Sequence, residues 1–513
     1  MSTAHFDLCV IGGGINGAGI ARDAAGRGLS VLLVEAKDLA QGTSSASTKL
    51  IHGGLRYLEF LEFALVRHSL QERERLLSIA PHLISPMNFI LPYSVHRGRP
   101  LWMIRLGLFL YDHLAKRVRL PASQQVSLVS GQYGTPLADF YRKGFRYSDC
   151  WVDDSRLVVL NALDAAERGA QIWTHIRCVR IASDKEGWRL SLWDEQAGRE
   201  FSVQASMVVN AAGPWVQNIL EDSGFYSTSL PMPRVRHVKG SHLIVARRFE
   251  GDHAYILQQE DKRIVFAIPY EKDFTLIGTT EEAFDGDLYD VRISDSEVDY
   301  LCGAYSQHFK KPLKREDVLW SYSGVRPLFD VSHRDGRPAG DMRSASRDYI
   351  LYRHPGVHAP LLSVFGGKLT TYRVLAEKVM DKLLLGREGY GDAWSSEVAL
   401  PGGDFAGGHF RYFVKEQARI YPWVARDVLL RYARSYGTRM ERFLDGARSV
   451  EDLGRHYGAG LYQAEILYMV RYEWARSVED VLWRRSKLGL HMSEAEVAAL
   501  ERAFPSILRE VGL

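Results

Sequence analysis

The sequence predicts an α/β protein of three parts: a Rossmann-like domain, an antiparallel-sheet domain and a C-terminal helical domain. Three observations support this fold class. Residues 6–35 have a strand–turn–helix–strand pattern, short apolar runs separated by turn residues fill about 215–325, and apolar residues recur at helical spacing after residue 401. The length of 513 residues agrees, since a domain has about 150 residues on average.

The turn after the first predicted strand carries a dinucleotide fingerprint. Gly12, Gly14 and Gly17 open the first helix at a spacing that permits a tight turn, close approach of a pyrophosphate and helix–strand packing. Glu35 ends the second strand, where a carboxylate binds a ribose hydroxyl and disfavours NADP. The sequence has no second fingerprint, and residues 42–49 (GTSSASTK) suit an extended FAD better than NAD, although a solvated loop can have the same composition.

The nucleotide-binding domain is predicted to be discontinuous. Apolar runs at residues 207–211 and 361–365 lead into glycine as the first strand does, so we expect all three in one sheet. The polar residues 331–347 are interpreted as a surface loop. We assign residues 1–90, 145–215 and 325–395 to the FAD-binding domain, 91–144 to a helical cap, 216–324 to the antiparallel-sheet substrate domain, and 400–513 to the helical domain.

Composition and charge narrow the function classes. The chain is 46% hydrophobic with a formal net charge of +3, and residues 401–513 hold 17 basic and 15 acidic residues, so we expect no nucleic-acid partner. The four cysteines include no Cys-x-x-Cys pair, which predicts no disulfide framework, no metal site and a cytoplasmic location. The N-terminus does not resemble a secretion signal, and the chain has no run of about 18 apolar residues that would predict a transmembrane helix.

Three cations lie beside paired or single glycines at predicted strand–loop junctions. Arg56 follows Gly53-Gly54, Arg326 follows Gly324, and Lys368 follows Gly366-Gly367. A single arginine in a loop is more often a surface residue, but three such positions favour an anionic substrate, and phosphate is the natural candidate.

Two histidines are candidate general bases. His242 lies in the predicted substrate domain, and its ordinary pKa near neutrality suits removal of a hydroxyl proton. A lone histidine is more often structural, and His52 is the rival because its loop is placed closest to the flavin.

Together, these segments resemble the FAD-dependent respiratory glycerol-3-phosphate dehydrogenases over nearly the whole chain. Thr48 stands where a serine is expected in that family, and both residues carry the hydroxyl. The matching stretches are residues 11–25 (IGGGINGAGIARDAA), 42–59 (GTSSASTKLIHGGLRYLE), 147–156 (YSDCWVDDSR), 210–216 (NAAGPWV), 238–242 (VKGSH), 261–269 (DKRIVFAIP), 277–280 (IGTT), 322–328 (YSGVRPL), 363–373 (SVFGGKLTTYR) and 473–485 (EWARSVEDVLWRR).

The resemblance implies oxidation of sn-glycerol 3-phosphate to dihydroxyacetone phosphate, with hydride transfer to FAD and electrons passed to ubiquinone or menaquinone. It implies substrate binding by Arg56, Tyr57, Thr279, Arg326 and Lys368, and proton removal by His242, Arg326 or His52. It implies FAD binding by Gly12, Gly14, Gly17, Glu35, Thr43, Ser45, Lys49, His52, Ala212, Gly213, Gly367, Lys368, Leu369 and Thr370.

A quinone reductase must reach the bilayer, and residues 101–116 (LWMIRLGLFLYDHLAK) predict an amphipathic helix with basic flanks. Arg97, Arg99, Arg105, Lys116, Arg117 and Arg119, set against Asp112, give this neighbourhood a net charge of +5. A buried helix in a substrate cap is the equally weighted alternative.

We therefore expect a peripheral, monotopic enzyme on the cytoplasmic membrane, acting as a homodimer. Two other functions remain open from the sequence. One is a glycerol-3-phosphate oxidase that passes electrons to oxygen, and the other is an FAD-containing tRNA-modifying or RNA-binding protein.

Overall fold

The computed structural model describes residues 4–94, 99–183, 185–226, 232–261, 263–329, 348–405 and 409–513. Within them, two large sheets are followed by a helical C-terminal part, which confirms the predicted fold class. The α-helices are α1 (Ile15–Gly26), α2 (Phe63–Ile79), α3 (Leu101–His113), α4 (Asp154–Glu167), α5 (Val216–Asp222), α6 (Asp295–Ser306), α7 (Tyr372–Leu384), α8 (Phe410–Ile420), α9 (Arg426–Tyr436), α10 (Glu441–Leu444), α11 (Gln463–Tyr472) and α12 (Glu494–Glu510).

The first sheet has a parallel centre, whose strands follow the order β18 (Leu361–Gly366), β10 (Arg199–Asn210), β1 (His5–Ile11), β2 (Val31–Val34) and β7 (Gln171–Trp173). Two further strands are antiparallel to their neighbours: β9 (Trp188–Asp194) pairs with β10, and β17 (Tyr349–Arg353) pairs with β18. Helices α1, α4 and α7 pack together on one face, where apolar side chains of β1, β2 and β10 form the core. Its strands are β1 (His5–Ile11), β2 (Val31–Val34), β7 (Gln171–Trp173), β8 (Ile176–Ser183), β9 (Trp188–Asp194), β10 (Arg199–Asn210), β17 (Tyr349–Arg353) and β18 (Leu361–Gly366).

The three runs predicted to share a sheet are therefore neighbours, because β10 pairs with both β1 and β18. The carboxyl ends of these parallel strands lie at one edge, so the glycine loops that follow them meet there.

The second sheet is mainly antiparallel, with one parallel pair between β4 (Ile84–Tyr93) and β12 (Ala254–Gln258). Strand β11 lies between β14 and β16, and this register places His242 opposite Gly278 on one side and Tyr322 on the other. Its strands are β3 (Leu50–Ile51), β4 (Ile84–Tyr93), β5 (Gln124–Ser127), β6 (Lys143–Val152), β11 (Val235–Ala246), β12 (Ala254–Gln258), β13 (Ile264–Tyr270), β14 (Phe274–Gly278), β15 (Glu282–Ala283) and β16 (Val318–Phe329).

The strand pairing can be compared with the predicted domain limits, which remain a prediction. Strands β4 and β6 pair with each other over their full length and join the second sheet through β12. The second sheet thus draws on residues 84–93 and 143–152, most of which the sequence analysis placed in the FAD-binding domain. Alternation of apolar residues predicts a strand but does not identify its partner strand.

The C-terminal part has its own apolar core, formed by side chains of α8 to α12. Residues 480–485 adopt a short π-helical turn after α11, and β19 (His456–Gly458) and β20 (Leu461–Tyr462) form a small hairpin.

The amphipathic run 101–116 contains α3, whose Ile104, Leu108 and Tyr111 are buried. Among the helices of the described residues, none combines the length and apolarity needed to cross a bilayer. The predicted surface loop at 331–347 lies outside the described residues.

The turn between β1 and α1 depends on glycine at two positions. Gly12 has a φ of 110°, and a Cβ there would lie 2.6 Å from the carbonyl oxygen of Ala211. A Cβ on Gly17 would lie only 1.8 Å from the carbonyl oxygen of Gly12, so helix and strand are in direct backbone contact.

We predict that Gly17→Ala lowers the free energy of unfolding by about 3 kcal/mol or more, because neither backbone segment can retreat. Chemical denaturation followed by circular dichroism measures this change. The control is Gly303→Ala in α6, where a Cβ has no heavy atom within 4 Å; it should add about 0.5–1 kcal/mol through helix propensity. Equal effects of the two substitutions would contradict the close-contact argument.

Candidate active site

A cavity of about 300 Å³ lies between the two sheets, beside the glycine loop that follows β18. Its wall brings together residues that are distant in sequence. The predicted site residues that line it are Thr43, His52, Arg56, Tyr57, Thr279, Arg326, Gly367, Lys368, Leu369 and Thr370.

The remaining predicted cofactor residues form the glycine turn and its surroundings. The backbone N–H groups of Gly13 and Lys37 donate to the carboxylate of Glu35 at 2.6 and 2.9 Å. Burial raises the pKa of Glu35. Gly14 precedes α1 and has no side chain to cap it, while the N–H of Ile15 donates to Ser44 Oγ at 3.0 Å.

This turn fits the pyrophosphate of a dinucleotide. The first turn of α1 contains no acidic residue, so the partial positive charge of the helix end favours an anionic group such as a pyrophosphate. Ala212 and Gly213 follow β10 at the same sheet edge, and Gly213 has a φ of 56° that suits glycine. Glu35 at the end of β2 is the residue predicted to bind the ribose, and its carboxylate lies at this edge of the sheet.

The loop from Gly42 to Lys49 is held in place by a buried ion pair. The ammonium of Lys49 lies 2.9 and 3.0 Å from the two carboxylate oxygens of Asp154 and 2.9 Å from the carbonyl of Ser45. Ser47 Oγ donates to the same carboxylate at 2.7 Å. Lys49 was predicted to hold FAD, and the structure places its charge on Asp154, so it can act on the cofactor by shaping the loop.

The cations of the cavity are arranged by polar and aromatic neighbours. Arg326 Nη2 donates to Thr279 Oγ1 at 3.1 Å, and Nη1 lies 3.4 Å from the carboxylate of Glu281. The ammonium of Lys368 lies 3.9 Å from the ring centroid of Tyr57. Arg326 and Thr279 are thus already paired with each other. Sequence reasoning missed Glu281, two residues after Thr279.

His242 is buried beneath the cavity wall. Its side chain stacks on Tyr322 at 4.8 Å, and Nε2 lies 2.9 Å from Oγ1 of Thr48, which lines the cavity. Burial, Arg326 and Lys49 together lower the pKa of His242 well below its usual range. A neutral imidazole can accept a proton, and Thr48 stands between it and the cavity. His52 lines the cavity itself, and its backbone N–H donates to Thr370 Oγ1 at 3.2 Å.

A buried carboxylate forms hydrogen bonds to both β11 and the loop after β14. Sequence reasoning did not identify it. Glu297 of α6 accepts hydrogen bonds from Ser241 Oγ at 2.8 Å and Thr280 Oγ1 at 2.6 Å, and its other oxygen lies 2.9 Å from the ammonium of Lys239. Ser241 and Thr280 are the neighbours of His242 and Thr279. Glu297 therefore fixes the backbone on which two predicted site residues stand, and the roles of these residues stay predictions.

Comparison with known proteins agrees with this geometry. A family model described as FAD dependent oxidoreductase matches residues 7–373, and one described as the C-terminal domain of alpha-glycerophosphate oxidase matches residues 394–513. The chain belongs to the FAD-dependent oxidoreductase family. It is therefore an enzyme with FAD as its cofactor, as the family resemblance implied.

This FAD-dependent oxidoreductase has close relatives over nearly its full length. It is 50% identical over 510 residues to a glycerol-3-phosphate dehydrogenase of Pseudomonas aeruginosa, covering 98% of this chain and 97% of that protein. It is 49% identical over 498 residues to D-erythritol 1-phosphate dehydrogenase of Brucella abortus, covering 97% of each. The solved glycerol-3-phosphate dehydrogenase of Bacillus halodurans, complexed with FAD, matches with a TM-score of 0.74 at 26% identity, covering 99% of this chain and 95% of that one.

We predict that His242 makes the oxidoreductase less stable as pH falls. Its pKa is lowered in the folded state, so the unfolded chain takes up this proton first and stability is lost below the ordinary pKa of about 6.5. The His242→Gln variant has no imidazole that could take up this proton. As pH is lowered from about 8 to 5, the wild type should lose more unfolding free energy than the variant does. Urea denaturation at each pH measures both values. A difference independent of pH would contradict the buried neutral imidazole.

Proposed function

We propose that the enzyme oxidises sn-glycerol 3-phosphate to dihydroxyacetone phosphate. The observation that supports this most is the presence of Arg326, Lys368 and Arg56 in one cavity with the loop after β18. Three cations in one cavity suit a phosphate ester. The names of full-length relatives at about half identity point to the same substrate class.

Each side chain has a role that follows from its chemistry. Arg326 and Lys368 bind the phosphate, with Arg56, Tyr57 and Thr279 completing the substrate site. When bound, FAD supplies the acceptor for the hydride that leaves C2. His242 takes the C2 hydroxyl proton, and Thr48 is positioned to pass it on because its hydroxyl is hydrogen-bonded to Nε2. His52 is the rival proton acceptor, and Arg326, which stays a cation, can help remove the proton by stabilising the oxygen that loses it.

The first test is anaerobic mixing of the FAD-loaded enzyme with glycerol 3-phosphate, and we expect the absorbance of oxidised flavin to disappear. Glycerol, which lacks the phosphate, is the control and should leave the spectrum unchanged at the same concentration. If glycerol 3-phosphate fails to bleach the bound flavin, the proposed reaction is wrong. D-erythritol 1-phosphate is the second substrate to test, because a relative of that name is as similar as the glycerol-3-phosphate dehydrogenase.

The same assay tests the phosphate-binding role. Arg326→Lys keeps the charge but loses the fork-shaped donor, and should raise the substrate concentration for half-maximal bleaching about ten- to a hundredfold. Arg315→Lys is the matched control, since Arg315 pairs with Asp295 and Asp299 on the surface. Equal values for the two variants would remove Arg326 from the substrate site.

We further propose that membrane quinone, either ubiquinone or menaquinone, receives the electrons, and that the enzyme acts as a homodimer on the cytoplasmic face. Reduction of a quinone analogue distinguishes this from an oxidase, which instead forms peroxide in air.

An exposed apolar surface around α3 supports membrane contact. Its side chains are Phe60, Leu61, Phe63, Trp102, Met103, Leu106 and Phe109, of which Leu61 is 73% and Trp102 64% exposed.

The charge around α3 is smaller than the sequence count indicated. Arg99 forms an ion pair with Glu59, which the count of +5 left out and which lowers it by one. Arg117 lies 3.6 Å from Asp112, whose charge that count already included. Arg97 lies outside the described residues. The exposed apolar side chains of this surface are therefore expected to contribute to membrane binding together with the remaining basic residues.

We predict that Trp102→Glu together with Phe109→Glu reduces co-sedimentation with vesicles of phosphatidylglycerol and phosphatidylethanolamine at least about tenfold. The reason is that an aromatic side chain that becomes buried in the bilayer contributes about 1.5–3 kcal/mol to binding. The control pair is Tyr412→Glu with Ile420→Glu on α8, since these residues are also more than half exposed. Equal vesicle binding by the two double variants would show that α3 is not the docking surface.

A further inference from the structure

We propose that residues 473–487 of the C-terminal part, here called the brace, are a positioning element for the FAD site. The brace connects by buried charged groups to both loops that shape that site. This inference goes beyond the proposed reaction, because it concerns how the cofactor is held and does not depend on the substrate.

The first connection is to Asp38, which follows Glu35 by three residues. Arg485 donates from Nη2 to Asp38 Oδ1 at 2.7 Å and from Nη1 to Oδ2 at 2.6 Å, and Arg484 Nε donates to Oδ2 at 2.5 Å. The side chains of Asp38 and Arg485 are fully buried. Two guanidinium groups therefore hold one carboxylate in a fixed place.

Asp38 is linked directly to the dinucleotide turn. The N–H of Ala40 donates to the carbonyl of Gly13 at 3.1 Å, and the Leu39 side chain lies so close that a Cβ on Gly13 would be 2.9 Å from it. Gly13 in turn donates its N–H to Glu35. A displacement of Asp38 would thus be transmitted to the backbone that would hold the pyrophosphate and to the carboxylate that would hold the ribose.

The second connection is to the start of α4. Glu473 accepts from Arg156 at 2.5 and 2.8 Å, and Lys487 donates to Ser155 and lies 3.6 Å from Asp153. These three partners flank Asp154, the residue that holds Lys49 and Ser47. The brace therefore also supports the loop from Gly42 to Lys49, which lines the cavity at Thr43 and Thr48.

The link through Asp38 can be weakened while the brace keeps its other contacts. Arg484 also pairs with Asp480 and Glu479, and Arg485 donates to the carbonyl oxygen of Glu473. In an Asp38→Asn variant these contacts remain, and the charge that connects the brace to the cofactor loop is lost. We expect looser positioning of residues 38–40 and faster loss of FAD.

The test measures FAD release from the holoenzyme after dilution, followed by the fluorescence of free flavin, together with the thermal unfolding midpoint. Asp38→Asn should release FAD at least about tenfold faster than wild type, the effect of weakening a charged hydrogen bond. The matched control is Glu465→Gln, which removes an equally buried carboxylate that pairs with Arg431 inside the C-terminal part. It should lower the unfolding midpoint and leave FAD release within about twofold of wild type.

The two measurements separate positioning from general stability. If Asp38→Asn releases FAD no faster than Glu465→Gln at a similar loss of unfolding midpoint, the brace is only a structural contact and the proposal is overturned. If Asp38→Asn does not accumulate as folded holoenzyme, Arg485→Lys carries the same comparison, because lysine keeps the charge and loses the two-pronged contact with Asp38.

Discussion

The active-site region depends on one buried ion pair, between Lys49 and Asp154. Both side chains are almost entirely buried, and removing one partner of such a pair costs about 3–5 kcal/mol because the other charge is left without compensation. Lys49 has a φ of 59°, a conformation that a non-glycine residue keeps only when its surroundings hold it there. The pair supplies that restraint, so the loop passes between the two sheets on one path. The cavity is formed on that path.

The same charge influences the chemistry of the cavity. Lys49 and Arg326 both lower the pKa of His242, in addition to the effect of burial; they keep the imidazole neutral and at the same time reduce its affinity for a proton. The cation that fixes the loop therefore also tunes the histidine behind it. Thr48, the residue next to Lys49, carries the hydrogen bond from the loop to Nε2. Geometry and proton affinity at this position are consequently coupled through two adjacent residues.

Sequence reasoning succeeded where the signal was local. The strand, glycine turn and helix around Gly12–Gly17 follow from residues close together in the chain, and three distant glycine-flanked cations do line one cavity. It did not identify the partner of Lys49, because a buried lysine and a phosphate-binding lysine look alike in sequence. Glu297 was missed for the same reason: it is an ordinary acid of the first turn of α6 until the fold brings it beneath β11. Strand pairing of residues 84–93 and 143–152 required the tertiary structure.

The contacts of the brace explain why the run EWARSVEDVLWRR is so rich in charge. A buried apolar interface would serve stability as well or better, since desolvation offsets much of the attraction in a buried ion pair. A charged group, however, tolerates burial only opposite its partner, and Arg485 finds one carboxylate, Asp38, in a fork-shaped arrangement. Arg156 and Glu473 impose the same restriction a short distance away. Two such pairs fix the position and the rotation of the C-terminal part on the FAD-binding part. An apolar surface could slide, and a cofactor loop attached to a sliding surface would not keep its geometry.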